Sequence, residues 1–186
     1  LMGQPVITSD YKDASEVVEE VLFDEATILK RVGELANQIS SDYKGRDLIV
    51  IAVLKGGFMF ASDLIRRLSL PASIDFIAVS RYVPNSETVQ VKIVKDLDID
   101  IEGKEVLLIE DIVDTGLSLN YLITNLRDRK PASIAICSLL DRSDLRLVNI
   151  PLNYVGFTVT DEFLIGYGLD YRENYRNLPF VATMNL

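Results

Sequence analysis

Between Leu48 and Leu54 the chain reads Leu-Ile-Val-Ile-Ala-Val-Leu, without one polar side chain. A strand with one wet face alternates apolar and polar residues. This run is apolar on both faces, as a central parallel strand covered by helices must be. Val106 to Ile109 has the same character, and Ser133 to Leu140 is mostly apolar. Helical spacing separates them: Ile28, Val32, Leu35 and Ile39 precede the first run, and Leu119, Leu122, Ile123 and Leu126 lie between the last two. Helix alternating with strand from Ile28 to Leu140 predicts an α/β fold with an open, mainly parallel sheet flanked by helices. The length of 186 residues fits a single domain, 1–186. The N-terminal residues and roughly 141–186 are expected to form a small hood over the carboxyl ends of the strands.

Local signals set the boundaries. Val17 to Phe23 reads as a short edge strand. Asp24 reads as a helix N-cap, with Thr27 at the capping-box position, and Gly45 closes that helix. Further strands are expected at Ile74 to Val79, Val89 to Val94, Tyr154 to Val159 and Phe180 to Met184, and a helix at Phe58 to Leu68. Ser80 to Gln90 is a polar, hairpin-like excursion, and Asp96 to Gly103 is an acidic turn.

Composition removes several functional classes. The net charge of −9 argues against general nucleic-acid binding, which needs a basic footprint. There is no histidine, so acid/base work falls to Asp, Glu, Lys or Tyr. The single cysteine, Cys137, sits in an apolar run and reads as a buried structural thiol, which fits a reducing cytoplasm. The longest apolar run is far too short to span a bilayer. The opening Leu1 suggests a trimmed start, and Leu1 to Tyr11 carries no basic-then-apolar signal pattern.

The chemistry concentrates after the strand at Val106 to Ile109. Glu110 and Asp111 follow it, then Asp114, then Thr115, Gly116, Leu117 and Ser118, then a helix. Ligands of open α/β sheets bind at the carboxyl ends of strands. A helix start offers unpaired N–H groups to an anion, Gly116 permits close approach of the backbone, and Thr115 and Ser118 add hydroxyls. Adjacent carboxylates would repel a bare polyanion. They can instead accept hydrogen bonds from a pair of sugar hydroxyls, or hold a hard cation such as Mg2+. The implied ligand carries a phosphate, sugar hydroxyls and a metal. A second glycine turn, Lys55-Gly56-Gly57, ends the strand at Leu54 and can also cradle an anion.

The stretch from Val106 to Leu119 resembles the phosphoribosyl pyrophosphate (PRPP) signature of the type I phosphoribosyltransferases. From about Glu25 to the C-terminus the chain is most similar to the hypoxanthine-guanine phosphoribosyltransferases. The resemblance implies transfer of ribose 5-phosphate from PRPP to hypoxanthine or guanine, with Mg2+, in a homodimer or homotetramer. Glu110 and Asp111 would grip the ribose hydroxyls and the metal, and Thr115, Gly116, Leu117 and Ser118 the 5-phosphate. Lys55, Gly56 and Arg176 would contact pyrophosphate, with a non-proline cis peptide at Leu54–Lys55. Asp114 would be the general acid/base at the purine ring.

On the base side, the resemblance makes Phe163 a stacking platform and Leu164 a backbone contact to the purine edge. Asp170 would be a metal ligand or near-ligand on the same loop. Arg142 stands where the 6-oxopurine enzymes carry a lysine that bonds the exocyclic oxygen; otherwise it is a surface arginine paired with Asp141 or Asp144. Ser80, Arg81 and Tyr82 fall on the family's mobile lid, with Arg81 where serine is usual. Two rivals stay open: a phosphoribosyltransferase for another base such as xanthine, and a PRPP-sensing regulator that binds nucleic acid.

Overall fold

A computed structural model describes residues 13–82 and 90–185. In chain order these form α1 (Ala14–Val17), β1 (Val18–Phe23), α2 (Glu25–Asp42), β2 (Leu48–Leu54), α3 (Phe58–Ile65), β3 (Ala72–Tyr82), β4 (Gln90–Lys95), β5 (Glu105–Val113), α4 (Leu117–Arg127), β6 (Ser133–Asp141), a single 3-10 turn (Ser143–Leu145), β7 (Tyr154–Thr158), β8 (Leu164–Ile165) and β9 (Val181–Met184).

The main sheet runs β4-β3-β2-β5-β6-β7, parallel throughout except for β4, which pairs antiparallel with β3. Alternation along β2 sends its residues to two different cores. Leu48, Val50 and Ala52 pack with Ile28, Val32, Leu35 and Ile39 of α2 and with Phe60 and Leu64 of α3. Ile49, Ile51 and Val53 face the other way, onto Leu119, Leu122, Ile123 and Leu126 of α4. That division explains why β2 is apolar on both faces: every side chain from Leu48 to Val53 is buried. Cys137 is likewise fully buried, and desolvation pushes its thiol well above the ordinary range.

Chain order determines where the sheet opens. From β2 the chain crosses to β3 on one side, and β5 returns to the other side of β2. The carboxyl ends of β2 and β5 therefore flank a topological switch point, where a crevice forms. A second sheet, β1-β9-β8, is antiparallel and lies outside the main one. Its β1 is an edge strand, placed by a register with β9 that runs from Val18↔Met184 to Phe23↔Val181.

Several boundaries differ from the sequence expectation. Strand β5 does not stop at Ile109. Its ladder to β6 continues through Glu110↔Ser138 and Ile112↔Leu140, so Glu110 and Asp111 stand on the strand itself. Helix α3 ends at Ile65 instead of Leu68, because Arg67 and Leu68 turn back on Leu64 and Ile65 in i→i−3 bonds. Helix α2 begins as expected, with Asp24 accepting a 2.8 Å bond from the Thr27 amide.

Candidate active site

A cleft of about 460 Å³ opens where β2 and β5 end. Its lining brings together Gly56, Glu110, Asp111, Asp114, Gly116, Ser118, Arg142, Phe163, Leu164 and Asp170, from segments spread over most of the chain. Thr115, Leu117, Lys55, Arg176 and Ser80 lie outside that lining. Ser80 is on β3 beside Lys92. The backbone of Arg81 and Tyr82 completes β3, while their side chains and residues 83–89 fall outside the described residues, and with them most of the expected lid.

The floor is built by glycines. A Cβ on Gly56 would lie 1.6 Å from Asp111 Oδ2, so only glycine lets the β5 carboxylate rest against this turn. A Cβ on Gly168 would lie 2.1 Å from the Gly56 carbonyl oxygen, and Gly168 adopts φ +102°. Gly168, Gly56 and Asp111 are thus stacked in direct contact. The Leu54–Lys55 peptide leading into this turn is cis. Gly116, at φ +81°, is the N-cap of α4 and has no side chain to cap it, and the Leu117 amide donates weakly to Thr115 Oγ1 at 3.4 Å. The Thr115 carbonyl is held from below by the Leu147 and Val148 amides.

Electrostatics divides the three acids. Burial raises the Asp111 carboxyl to about 6, against the partial relief of the Ile112 amide and the charge of Arg176. Glu110 is buried beside it on β5. Asp114 Oδ1 pairs at 3.1 Å with Arg142 Nη1. The surface alternative for Arg142 is thereby corrected: its partner is Asp114, and Asp141 pairs with Arg146 instead. Arg146 also donates through Nε to the Asp114 carbonyl at 2.9 Å.

The pyrophosphate side, as the resemblance named it, is a chain of ion pairs. Lys55 Nζ meets Glu173 Oε2 at 2.7 Å, and Glu173 Oε1 lies 3.4 Å from Arg176 Nη2. The hydrogen bond from Lys55 Nζ holds the Glu173 carboxyl below its ordinary range. Arg176 Nη2 also pairs with Asp170 Oδ1 at 2.8 Å, and its Nη1 donates to the Gly168 carbonyl at 2.7 Å. Its buried Nε has no hydrogen-bond partner among the described residues. Asp170 Oδ2 accepts from the Glu173 amide, so both Asp170 oxygens are already engaged.

These commitments bear on a metal. Among the described residues no cluster of three or more acidic or thiol side chains converges as a ready-made cage. Mg2+ typically takes one or two protein carboxylates and completes its shell with phosphate oxygens and water. Glu110 and Asp111 fit that pattern, and a cation there would relieve the desolvated Asp111. Asp170 fits it only if Arg176 or the Glu173 amide lets go.

Phe163 is 41% exposed at the cleft and meets Tyr171 edge-on at 5.7 Å, so it is a surface aromatic and not core. Sequence reasoning assigned no site role to Glu173, Arg146, Gly168 or the anchor Tyr167, whose hydroxyl donates to Asp63 Oδ2 on α3 at 2.6 Å. Only Gly168 carried a local signal, as the second glycine of Gly166-Tyr167-Gly168.

Comparison with known proteins places this cleft in a family. Residues 19–172 match the phosphoribosyl transferase domain. The chain is 45% identical over 170 residues to the hypoxanthine phosphoribosyltransferase of Salmonella typhimurium, covering 90% of this chain and 96% of that one. It is 42% identical over 175 residues to the hypoxanthine-guanine phosphoribosyltransferase of Mycobacterium bovis, covering 90% and 87%. The crystal structure of a hypoxanthine phosphoribosyltransferase from Staphylococcus aureus superimposes with a TM-score of 0.89 at 43% identity, covering 95% of this chain and 97% of that one.

Proposed function

The chain belongs to the phosphoribosyltransferase family, and from that footing we propose the reaction of this cleft. It is a purine-salvage enzyme that transfers ribose 5-phosphate from PRPP to hypoxanthine, guanine or both, giving IMP or GMP and pyrophosphate. The observation that carries the residue assignment is the stack of Gly168, Gly56 and Asp111. It supports the reading because Glu110, Asp111 and the turns at Gly56 and Gly116 line one cleft at the switch point.

A ring nitrogen of the base attacks C1 of the ribose as the bond to pyrophosphate breaks, and positive charge develops on the ring. The protein positions the reactants, excludes water and stabilises charge. Glu110 and Asp111 accept hydrogen bonds from the two ribose hydroxyls. Gly116 and Ser118 at the start of α4, flanked by Thr115 and Leu117, hold the 5-phosphate. Lys55, the Gly56 turn and Arg176 take the pyrophosphate, which requires Glu173 to release both cations. Asp114 accepts the proton that the purine ring loses. Phe163 stacks on the base, Leu164 bonds its edge through the backbone, and Arg142 faces the exocyclic oxygen. Glu110 and Asp111 would hold Mg2+, joined by Asp170 once Arg176 or the Glu173 amide lets go, and the ion would supply charge neutralisation at pyrophosphate. Ser80, Arg81 and Tyr82 belong to a lid over the reacting centre.

No described helix is long and apolar enough to cross a membrane. A buried thiol as the only cysteine suits a cytoplasmic enzyme, and a homodimer or homotetramer is the assembly we assign.

The test is pyrophosphate release from PRPP and Mg2+ with hypoxanthine, guanine, xanthine, adenine and a pyrimidine offered in turn. Release is expected with hypoxanthine, guanine or both and is abolished by excess chelator. Silence with every base sinks the proposal.

A further inference from the structure

Arg142 is a candidate base contact, but its geometry commits it elsewhere first. Its side chain is only 12% exposed. Nη1 pairs with Asp114 Oδ1 at 3.1 Å, Nε donates to the Thr160 carbonyl at 3.0 Å, and Nη2 donates to the Glu162 carbonyl. Its own amide donates to the Val113 carbonyl at 3.0 Å, which fixes where the guanidinium starts. One planar group therefore joins the carboxylate after β5 to the segment that carries Phe163. That segment is otherwise fastened at its two ends, by the Val159 amide on the Asp141 carbonyl and by the Met184 amide on the Phe163 carbonyl.

We propose that Arg142 is a positioning residue as well as a base contact: a strut that holds Asp114 and the 160–163 segment at one fixed separation, so that the proton acceptor and the stacking platform address the same base. This rests on the phosphoribosyl-transfer reading above. The chemistry that makes the strut is peculiar to arginine. A guanidinium has five N–H donors in a rigid plane, and three of its nitrogens here reach three acceptors on two segments. One N–H on each terminal nitrogen is left for the ligand. An ammonium could keep the charge and meet an exocyclic oxygen, but it is a point donor on a flexible stem and cannot span the same acceptors with defined angles.

The strut predicts a specific division of kinetic effects. In Arg142→Lys the charge near the base survives, so KM for hypoxanthine changes little and KM for PRPP not at all. Asp114 and Phe163 lose their common tie, so kcat falls roughly 10- to 100-fold, the cost of a misplaced reacting group. In an Asp114→Asn background the same change adds less than about twofold, because the group being positioned is already gone.

The experiment is a double-mutant cycle of Arg142→Lys and Asp114→Asn, with kcat and both KM values measured for each protein. It is combined with amide hydrogen exchange across 159–164 in the ligand-free wild type and Arg142→Lys. The strut requires faster exchange in that segment and a non-additive loss in kcat. A change confined to KM for the base, additive kcat effects, or unchanged exchange overturns it and leaves Arg142 a base reader alone. Absence of turnover by the wild type with every base would refute the proposed reaction instead, and the exchange result would still decide whether Arg142 ties the two segments together.

Discussion

The two halves of the cleft are built by different means. The half proposed for the sugar and 5-phosphate comes almost entirely from one stretch, Glu110 to Ser118, and from glycines that let backbone meet backbone. The half proposed for the base and pyrophosphate is assembled from Phe163 and from Lys55, Arg142, Asp170, Glu173 and Arg176, whose side chains are held by ion pairs. The first half is shaped by sterics, which tolerate no added atom. The second is shaped by charge, which ligands can compete for.

The contrast can be broken at either end. Asp114→Asn should have the largest effect, lowering kcat about 10³-fold by removing the proton acceptor while PRPP affinity stays near normal. Steady-state kinetics against PRPP binding by calorimetry separates the two. Gly56→Ala attacks the rigid half. Its methyl would lie 1.6 Å from the Asp111 carboxylate, so kcat/KM for PRPP should fall about 10²-fold and the melting temperature with it. Wild-type kinetics and stability in this variant would show that the stack has slack.

A titration probes the same floor more gently. Folding raises the Asp111 carboxyl from 3.8 to about 6. Its contribution to stability is therefore fully present below 3.8 and is lost as pH rises through about 6. Ligand binding has the opposite sign, because ribose hydroxyls and a cation both require the anion. Affinity for PRPP with Mg2+ should drop as pH falls below about 6, by at most about tenfold per pH unit for one proton. Calorimetry across that range checks it, and a flat profile contradicts the assignment of Asp111 to the sugar. Glu173→Gln should have the smallest effect. The Lys55–Glu173 pair is 66% and 63% exposed, so melting should not move, and KM for PRPP should decrease by less than about threefold as Lys55 is released.

The same division decides what could be read from the sequence. The parallel sheet was legible because strands buried on both faces cannot alternate, and Leu48 to Leu54 does not. Glu110 to Ser118 was legible because its chemistry is contiguous. Even there the reading ended β5 too early, since a ladder to β6 persists through charged residues that periodicity treats as a stop. The pairing of Arg142 with Asp114 was not legible. It links residues 28 apart, whereas Asp141 and Asp144 looked nearer in sequence. Glu173 left no trace for a simpler reason: an exposed glutamate in a polar run carries no pattern, and its partner Lys55 lies 118 residues away.

The contact of Gly168 with Gly56 also bears on redesign. A library that diversified positions 56, 116 and 168 would yield mostly chains whose glycine-built floor cannot close. Diversity placed at 142 and 163 leaves that floor untouched. New nucleobase analogues should therefore be sought by altering the roof of the pocket while its foundation is inherited unchanged.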